Sequence, residues 1–311
     1  MVNWQTSTFR LTFRFGMIRI GSVAFRSLVP EGHPFKLPVH PDFDILPLDA
    51  LGSTTESIIL RSHPIQTRLE RLSKIRGTLC YVPETYRHHY VDLSGTFAEY
   101  LSKFSSKTRS TLLSKVRRLK QEGVEFQAFR SAEELLRFYP LARQVSLKTY
   151  QESLLKQGLP DSPEFEAALR LRGEQDTARG FLLMKGSNPI AYLYSPATDG
   201  VLLYEYLGYD TEFRQSSPGT VLQYLALEYL FAEQKFEKFD FEEGEGQHKQ
   251  MFATHSVECA DIFVFAPTIR AHVLVRMHMM LTTFVRTVLV VTDRMHVKKR
   301  LKRVIKMLSS K

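Results

Sequence analysis

Cysteine is almost absent from this chain. Its 311 residues hold two, Cys80 and Cys259, in no spacing that suits a metal ion. A disulfide scaffold is therefore set aside, and a reducing, cytoplasmic setting is expected. Long apolar runs are missing as well. Arg10, Arg14 and Arg19 interrupt every N-terminal stretch that could form the apolar core of a secretory signal. Arg270, Arg276 and Arg286 punctuate the best candidate for a membrane span. Internal repeats and low-complexity tracts are also lacking. What is present is the composition of a packed protein, 43% hydrophobic and 12% aromatic, with length enough for one large domain or two smaller ones.

Charge is unevenly placed. The chain carries 42 Lys+Arg against 33 Asp+Glu, but residues 268–311 alone hold 11 bases and the single acid Asp293. Residues 1–267 are left with 31 bases and 32 acids. A neutral body with a basic tail argues against a general nucleic-acid-binding surface, while the tail asks for an anionic partner.

Residues 6–26 alternate apolar and polar (Phe9, Leu11, Phe13, Phe15, then Ile18 and Ile20), which predicts two short strands. Five prolines between residues 30 and 52 predict an irregular connection, and Thr78–Pro83 a further strand. From Phe97 the pattern becomes helical. Leu112, Leu113, Val116 and Leu119 share one face of a helix over 107–122, with Gly123 as its stop. That helix carries Lys107, Arg109, Lys115, Arg117, Arg118 and Lys120 with no acid between Ser102 and Lys120, either a solvated face or an electropositive wall for an anionic ligand. Helical blocks over 132–157 and 163–172 follow. Three apolar runs, 180–185, 190–195 and 201–207, are joined by hairpin-like turns. An amphipathic helix with Leu222, Leu225, Ala226, Tyr229 and Leu230 on one face leads to a strand at 236–241, a short helix at 247–255 and a last strand at 261–266. The order α-α-β-β-β-α-β-α-β implies a mixed sheet with a ligand crevice where antiparallel pairing gives way to parallel.

The chemistry concentrates between the third run and the helix after it. In Ser216-Ser217-Pro218-Gly219-Thr220-Val221, Ser217 suits an N-cap and Pro218 the first helical position. Gly219 lets an anion approach the backbone. The amides of Gly219, Thr220 and Val221 would then face a pyrophosphate at the positive end of the helix, with Arg214 just upstream.

The stretch Phe181–Tyr192, the string Gly208-Tyr209-Asp210…Phe213-Arg214…Ser217-Pro218-Gly219, and Phe239-Asp240-Phe241 followed by Gly244 and His248-Lys249 resemble the GNAT acyltransferase superfamily. Within it, they are similar to the CelD-like and BioF2-like acetyltransferases related to the FemAB peptidyltransferases. The resemblance covers about 95–267, including the basic helix. It implies an α/β (α+β) fold with a GNAT-like mixed sheet flanked by helices, a reduced N-terminal lobe (1–95), a catalytic domain (96–267) and a basic helical extension (268–311). It further implies acetyl-CoA or another acyl-CoA as co-substrate, and no metal. Tyr206, Leu207, Arg214, Gln215, Ser217, Gly219 and Thr220 would hold it, the strand backbone aligning the pantetheine. Two departures stand out: Ser217 replaces the first glycine of the superfamily's Arg/Gln-x-x-Gly-x-Gly/Ala loop, and His248-Lys249 replaces the family's Tyr-Lys.

Acyl transfer to an amine needs a proton acceptor and a proton donor. Strand alternation places Val201, Leu203, Glu205 and Leu207 on one face and Leu202, Tyr204 and Tyr206 on the other. Glu205, a carboxylate among hydrophobes, is one candidate base or else a structural ion-pair partner. His248 is the other catalytic candidate or else a surface residue. Asp240 at a strand end would bind an amine or orient His248, while Tyr204 and Lys249 would contact substrate. The acids Glu242, Glu243 and Glu245 read as a solvated loop or a site for a cationic acceptor.

The function expected from these features is acyl-CoA-dependent acetylation of an amine on a sugar or amino-acid-like acceptor, in envelope or exopolysaccharide biosynthesis. Two others stay open: an aminoacyl-tRNA-dependent transferase of FemAB type, and a non-catalytic scaffold that binds through its tail. The tail, apolar with arginines and then Lys298-Lys299-Arg300 and Lys302-Arg303, is either a pair of helices packed on the body or a peripheral contact with an anionic inner membrane face.

Overall fold

The computed structural model describes residues 2–16, 18–38, 44–149, 158–244 and 246–294. It divides into two compact units, one built from residues 1–85 and 259–311, the other from 86–258. The boundaries expected at 95/96 and 267/268 differ from this division, because the chain leaves its first unit before residue 95 and returns to it at Cys259. The basic residues at 298–303 and the end of the 132–157 helical block lie outside the described residues.

In the first unit, the two short strands expected in 6–26 are longer. Strands β1 (Trp4–Phe15) and β2 (Ile18–Pro30) form one antiparallel hairpin. β2 runs parallel to β3 (Ser57–Pro64), and β3 pairs antiparallel with β13 (His255–Phe265). β13 also pairs with β5 (Thr78–Tyr81), whose other partner is β4 (Leu72–Ile75). Neither cysteine forms a disulfide among the described residues, and both are buried. The described part of the tail is one 26-residue helix, α7 (Ile269–Arg294). It packs Ala271 and Val275 against Phe9, Phe25 and Phe265.

The second unit holds a sheet in the order β6-β12-β10-β9-β8-β7. Its strands are β6 (Thr85–Asp92), β7 (Val124–Phe129), β8 (Ala178–Lys185), β9 (Asn188–Thr198), β10 (Val201–Leu203) and β12 (Lys238–Asp240). Phe181 and Leu183 of β8 face one helical layer and Leu182 and Met184 the other, so the near-continuous apolar run follows from burial on both faces. One layer contains α1 (Phe97–Ser102), α2 (Ser106–Gln121) and α5 (Pro218–Glu233); the other contains α3 (Ala132–Ser146) and α4 (Pro163–Glu174). Capping boxes Thr96/Glu99 and Ser131/Glu134 fix the starts of α1 and α3.

Two expectations about helix faces change. Leu113 is exposed, and Leu112, Val116 and Leu119 alone form the buried stripe of α2. α5 is not amphipathic: Val221 through Leu227 are all buried, because it lies between the sheet and α1–α2. Truncating the fully buried Leu222 to Ala would cost about 2–5 kcal/mol.

The expected crossover is present. β10 pairs antiparallel with β9 and, through α5, parallel with β12. The third run is not one strand, however. After Leu203 the chain breaks, and β11 (Tyr206–Tyr209) continues on β9 alone. The last link to β12 is the Tyr204 N–H, which donates to the Asp240 carbonyl at 2.8 Å. Beyond it β11 and β12 diverge, and the alternation expected across Val201–Leu207 does not hold through Glu205.

Candidate active site

A cavity of about 430 Å³ opens where β11 parts from β12. Tyr204, Glu205, Tyr206 and Leu207 line it from the strand break, Gly219 and Thr220 from the start of α5, and His248 and Lys249 from α6 (Gln247–Phe252). The eight were singled out in the sequence. Tyr192 and Tyr209, which belong to the segments that carry the resemblance, and Gln223, which was not singled out, complete the lining. Gln223 was legible: it lies four residues after Gly219, on the same helical face, and is polar within an apolar run.

The Gly208-Tyr209-Asp210 string has a physical basis at each position. A Cβ on Gly208 would fall 2.5 Å from the Tyr192 ring and 2.7 Å from Thr149. Tyr209 packs on the helix start so closely that a Cβ on Gly219 would meet its ring at 3.3 Å. Asp210 is buried, caps the following 3-10 turn (Thr211–Ser216) through the Glu212 N–H, and accepts from Lys148 Nζ at 2.9 Å.

The helix start differs from a simple N-cap. Ser217 is left-handed (φ 53°, ψ 50°) and its side chain caps nothing. It has to reverse the chain from the 3-10 turn into α5, a backbone that favours glycine, which explains why the related loops carry Gly there. The N–H groups of Thr220 and Val221 both donate to the Ser217 carbonyl. Of the three amides expected to face an anion, only Gly219 N–H is without a backbone partner among the described residues. Arg214, Gln215 and Ser217 lie outside the cavity lining. Arg214 is exposed, and the Gln215 carbonyl accepts from Arg118 Nη2 of α2 at 3.0 Å. The basic helix therefore does reach the loop, through Arg118.

Glu205 opens to solvent through the cavity mouth, yet the surrounding protein strips enough water from it to raise its pKa, opposed by Arg172 and a hydrogen bond with Tyr206. Glu242 matters more than its place in an acidic run implied. It is half-buried in a left-handed conformation (φ 56°) just past β12. Burial, then the charges of Glu205 and Asp240, push its pKa up to about 7. Lys249 is lowered, chiefly by desolvation, and His248 is lowered by desolvation and by Lys249. His248 is thus neutral at pH 7, its ring beside Tyr204 at 5.9 Å between centroids. α6 is anchored from behind: the Phe252 carbonyl accepts from the Tyr100 hydroxyl at 2.9 Å and from Lys103 Nζ at 2.5 Å.

Asp240 is the one proposed catalytic residue that the structure turns away. It is buried beside His88, 2.5 Å from its Nε2, and its Oδ1 accepts the Glu242 N–H at 2.8 Å. Instead of orienting His248 it sets the backbone that carries Glu242. Among the described residues, no group of three or more His, Cys, Asp or Glu side chains is arranged to hold a metal ion.

A mixed sheet split at a strand break, with a glycine-bearing helix start at the split, defines the GNAT class of acyltransferase folds. Residues 106–250 match the family described as Acetyltransferase (GNAT) domain. The second unit therefore has a GNAT-like fold, and it is similar to that family over the residues matched. No curated protein matches the sequence. Among solved structures, the C-terminal domain (DUF2156) of a protein assigned as a lysylphosphatidylglycerol synthetase of Agrobacterium fabrum is 13% identical, with 82% of this chain and 84% of that one covered at a TM-score of 0.52. FemX is 13% identical, with 85% and 88% covered at a TM-score of 0.48. At 13% identity the likeness to the first of these is one of fold.

Proposed function

We propose that the second unit transfers an acyl group from acyl-CoA to an amine on a sugar or amino-acid-like acceptor. The observation that carries this reading is a cavity that joins the Gly219 helix start to Glu205 and Lys249, two groups whose charges act on Glu242. The residues present fit an acyl-CoA. Gln223 Nε2 is buried without a hydrogen-bond partner among the described residues, a donor suited to an amide carbonyl of the pantetheine arm. Gly219 leaves a cradle that a Cβ would partly fill.

The bound co-substrate supplies the activated acyl group. Gly219 N–H, Arg118 and Arg214 hold its pyrophosphate at the outer end of the cavity, and the edge of β11 that β12 leaves unpaired lies along the pantetheine. Glu242, with a pKa near the working pH, takes the proton from the acceptor amine, and Glu205 beside it favours an acceptor that arrives as a cation. Lys249, lowered by burial and held near Glu242 by its Nζ donating to the Glu243 carbonyl at 2.7 Å, offers a further hydrogen bond or proton.

Thermal unfolding with and without acetyl-CoA tests the reading, coupled to an assay of thiol release with amino-sugar and amino-acid amines. At a ligand concentration about a hundredfold above Kd, binding should stabilise the unit by about 2.7 kcal/mol. That is a rise in Tm of roughly 5–10 °C for a unit of this size. No shift with any acyl-CoA would remove the co-substrate and the reading with it.

A further inference from the structure

Apart from the cavity, the most unusual surface lies on the first unit. Of its exposed large hydrophobic residues, Ile269, Val273, Met277, Met280 and Phe284 all belong to α7. Their spacing of three and four residues puts them in one stripe along the helix, opposite the buried Ala271 and Val275. The turn end of the β1–β2 hairpin adds exposed Phe15, Ile18 and Ile20, and Phe15 meets Phe284 at 6.3 Å between ring centroids. Hairpin end and helix therefore form one apolar patch. Such a patch is far from the scattered single exposures normal on a soluble surface.

The charge around it is of one sign. Residues 1–30 contain no acid, and α7 contains none before Asp293. Arg14 and Arg19 flank the hairpin end, Arg276 flanks the helical stripe, and Arg286 follows near the helix end in line with Val275, all exposed. Arg270, by contrast, is spent on Glu56 at 2.6 Å. Beyond residue 294 the sequence adds seven more bases and no acid. No described helix is long and apolar enough to cross a membrane. A 26-residue helix with apolar side chains on its open face and arginines at the flanks is suited to lying in the plane of an interface, over about 40 Å.

We propose that this face docks on an anionic lipid bilayer, the apolar stripe entering the headgroup boundary and the arginines meeting the lipid phosphates. A second copy of the chain is the less suitable occupant, because a two-fold contact would set arginines against arginines. The side chains that face inward hold α7 in place independently of any lipid. His278 bridges the Tyr81 hydroxyl at 2.8 Å and the Thr12 carbonyl at 3.2 Å, and Arg71 reaches Thr282 and Thr283.

Co-sedimentation of the full chain with vesicles tests the proposal. Binding is expected to phosphatidylcholine–phosphatidylglycerol vesicles and not to pure phosphatidylcholine, and it should weaken by about tenfold when salt shortens the Debye length from about 30 to 8 Å. M277E/F284E should bind at least tenfold more weakly with little change in Tm, since both side chains are more than half exposed. I18S/I20S, on a different element, should weaken binding in the same way, and Leu171→Glu on exposed α4 should not. Failure of the wild type to sediment with anionic vesicles would overturn the proposal. So would normal binding by both patch variants, or a dimer that dissociates in M277E/F284E while vesicle binding stays intact. Acyl-CoA binding, measured separately, is unaffected in either case.

Discussion

Replacing Glu242 by Gln should make the protein more stable and less active, and the two effects should separate along the pH axis. In the folded state the Glu242 carboxyl titrates near pH 7 instead of its ordinary 4.5. A carboxyl whose pKa rises on folding favours the protonated fold. Its stabilising effect is complete below about pH 4.5 and is lost as pH rises through about 7. The full shift corresponds to about 3.4 kcal/mol. Glu242 is only half-buried, so solvent screening reduces the useful figure to about 1–2 kcal/mol. Gln is neutral throughout. Denaturant unfolding of E242Q should therefore match wild type near pH 4 and exceed it by about 1–2 kcal/mol near pH 8.

Activity should move the other way. If Glu242 takes the acceptor proton, kcat/KM should fall by about 10²- to 10⁴-fold, and the acidic limb of the pH profile near 7 should disappear. Glu205→Gln removes one of the charges that raise Glu242, so the same limb should shift to lower pH and remain visible. An E242Q protein no more stable than wild type at pH 8 would refute the burial argument. An unchanged limb in E242Q would refute the assignment of the base, leaving His248 or Glu205 in its place.

At the helix start, Gly219→Asp should abolish the acetyl-CoA thermal shift by placing a carboxylate against the phosphates. Gly219→Ala has to move the Tyr209 ring by only a few tenths of an ångström and should weaken binding several-fold, both read by calorimetry. Arg118→Ala and Arg214→Ala should each weaken CoA binding, less so at high salt, since both guanidinium groups are exposed. For stability, Glu233→Ala should cost about 3–5 kcal/mol in denaturant unfolding. It strips the fully buried Arg179 of a carboxylate that accepts from both its Nε and Nη2.

The elements that sequence reading placed well are those whose patterns are local. The β8–β9 hairpin, the crossover and the basic helix follow from apolar runs, turn residues and periodicity within a few turns of chain. β6 escaped because Thr85–Asp92 is mostly polar, with His88 and His89 buried only by its neighbours. β7 did alternate, Val124, Phe126 and Ala128 against Glu125 and Gln127, but it is short and follows directly on a helix. The first unit was unreadable as a whole, because its last strand and helix join it from 259 onward.

The same division runs through the site. Proline at 218 and glycine at 219 mark a helix start by their own chemistry, so that start could be found. Glu242 could not, because nothing local separates it from Glu243. What singles it out is desolvation together with Glu205, 37 residues away in sequence, and the Asp240 carboxylate that fixes its N–H. Asp240 attracted attention as a strand-end acid in a motif, and its contribution turns out to be positional. Ser217 makes the point from the other direction. Its identity suggested a cap, while its left-handed backbone shows that the position is constrained by chain reversal. A serine there is tolerated for its size, and its carbonyl takes the N–H groups of Thr220 and Val221 while the Gly219 N–H has no backbone partner among the described residues.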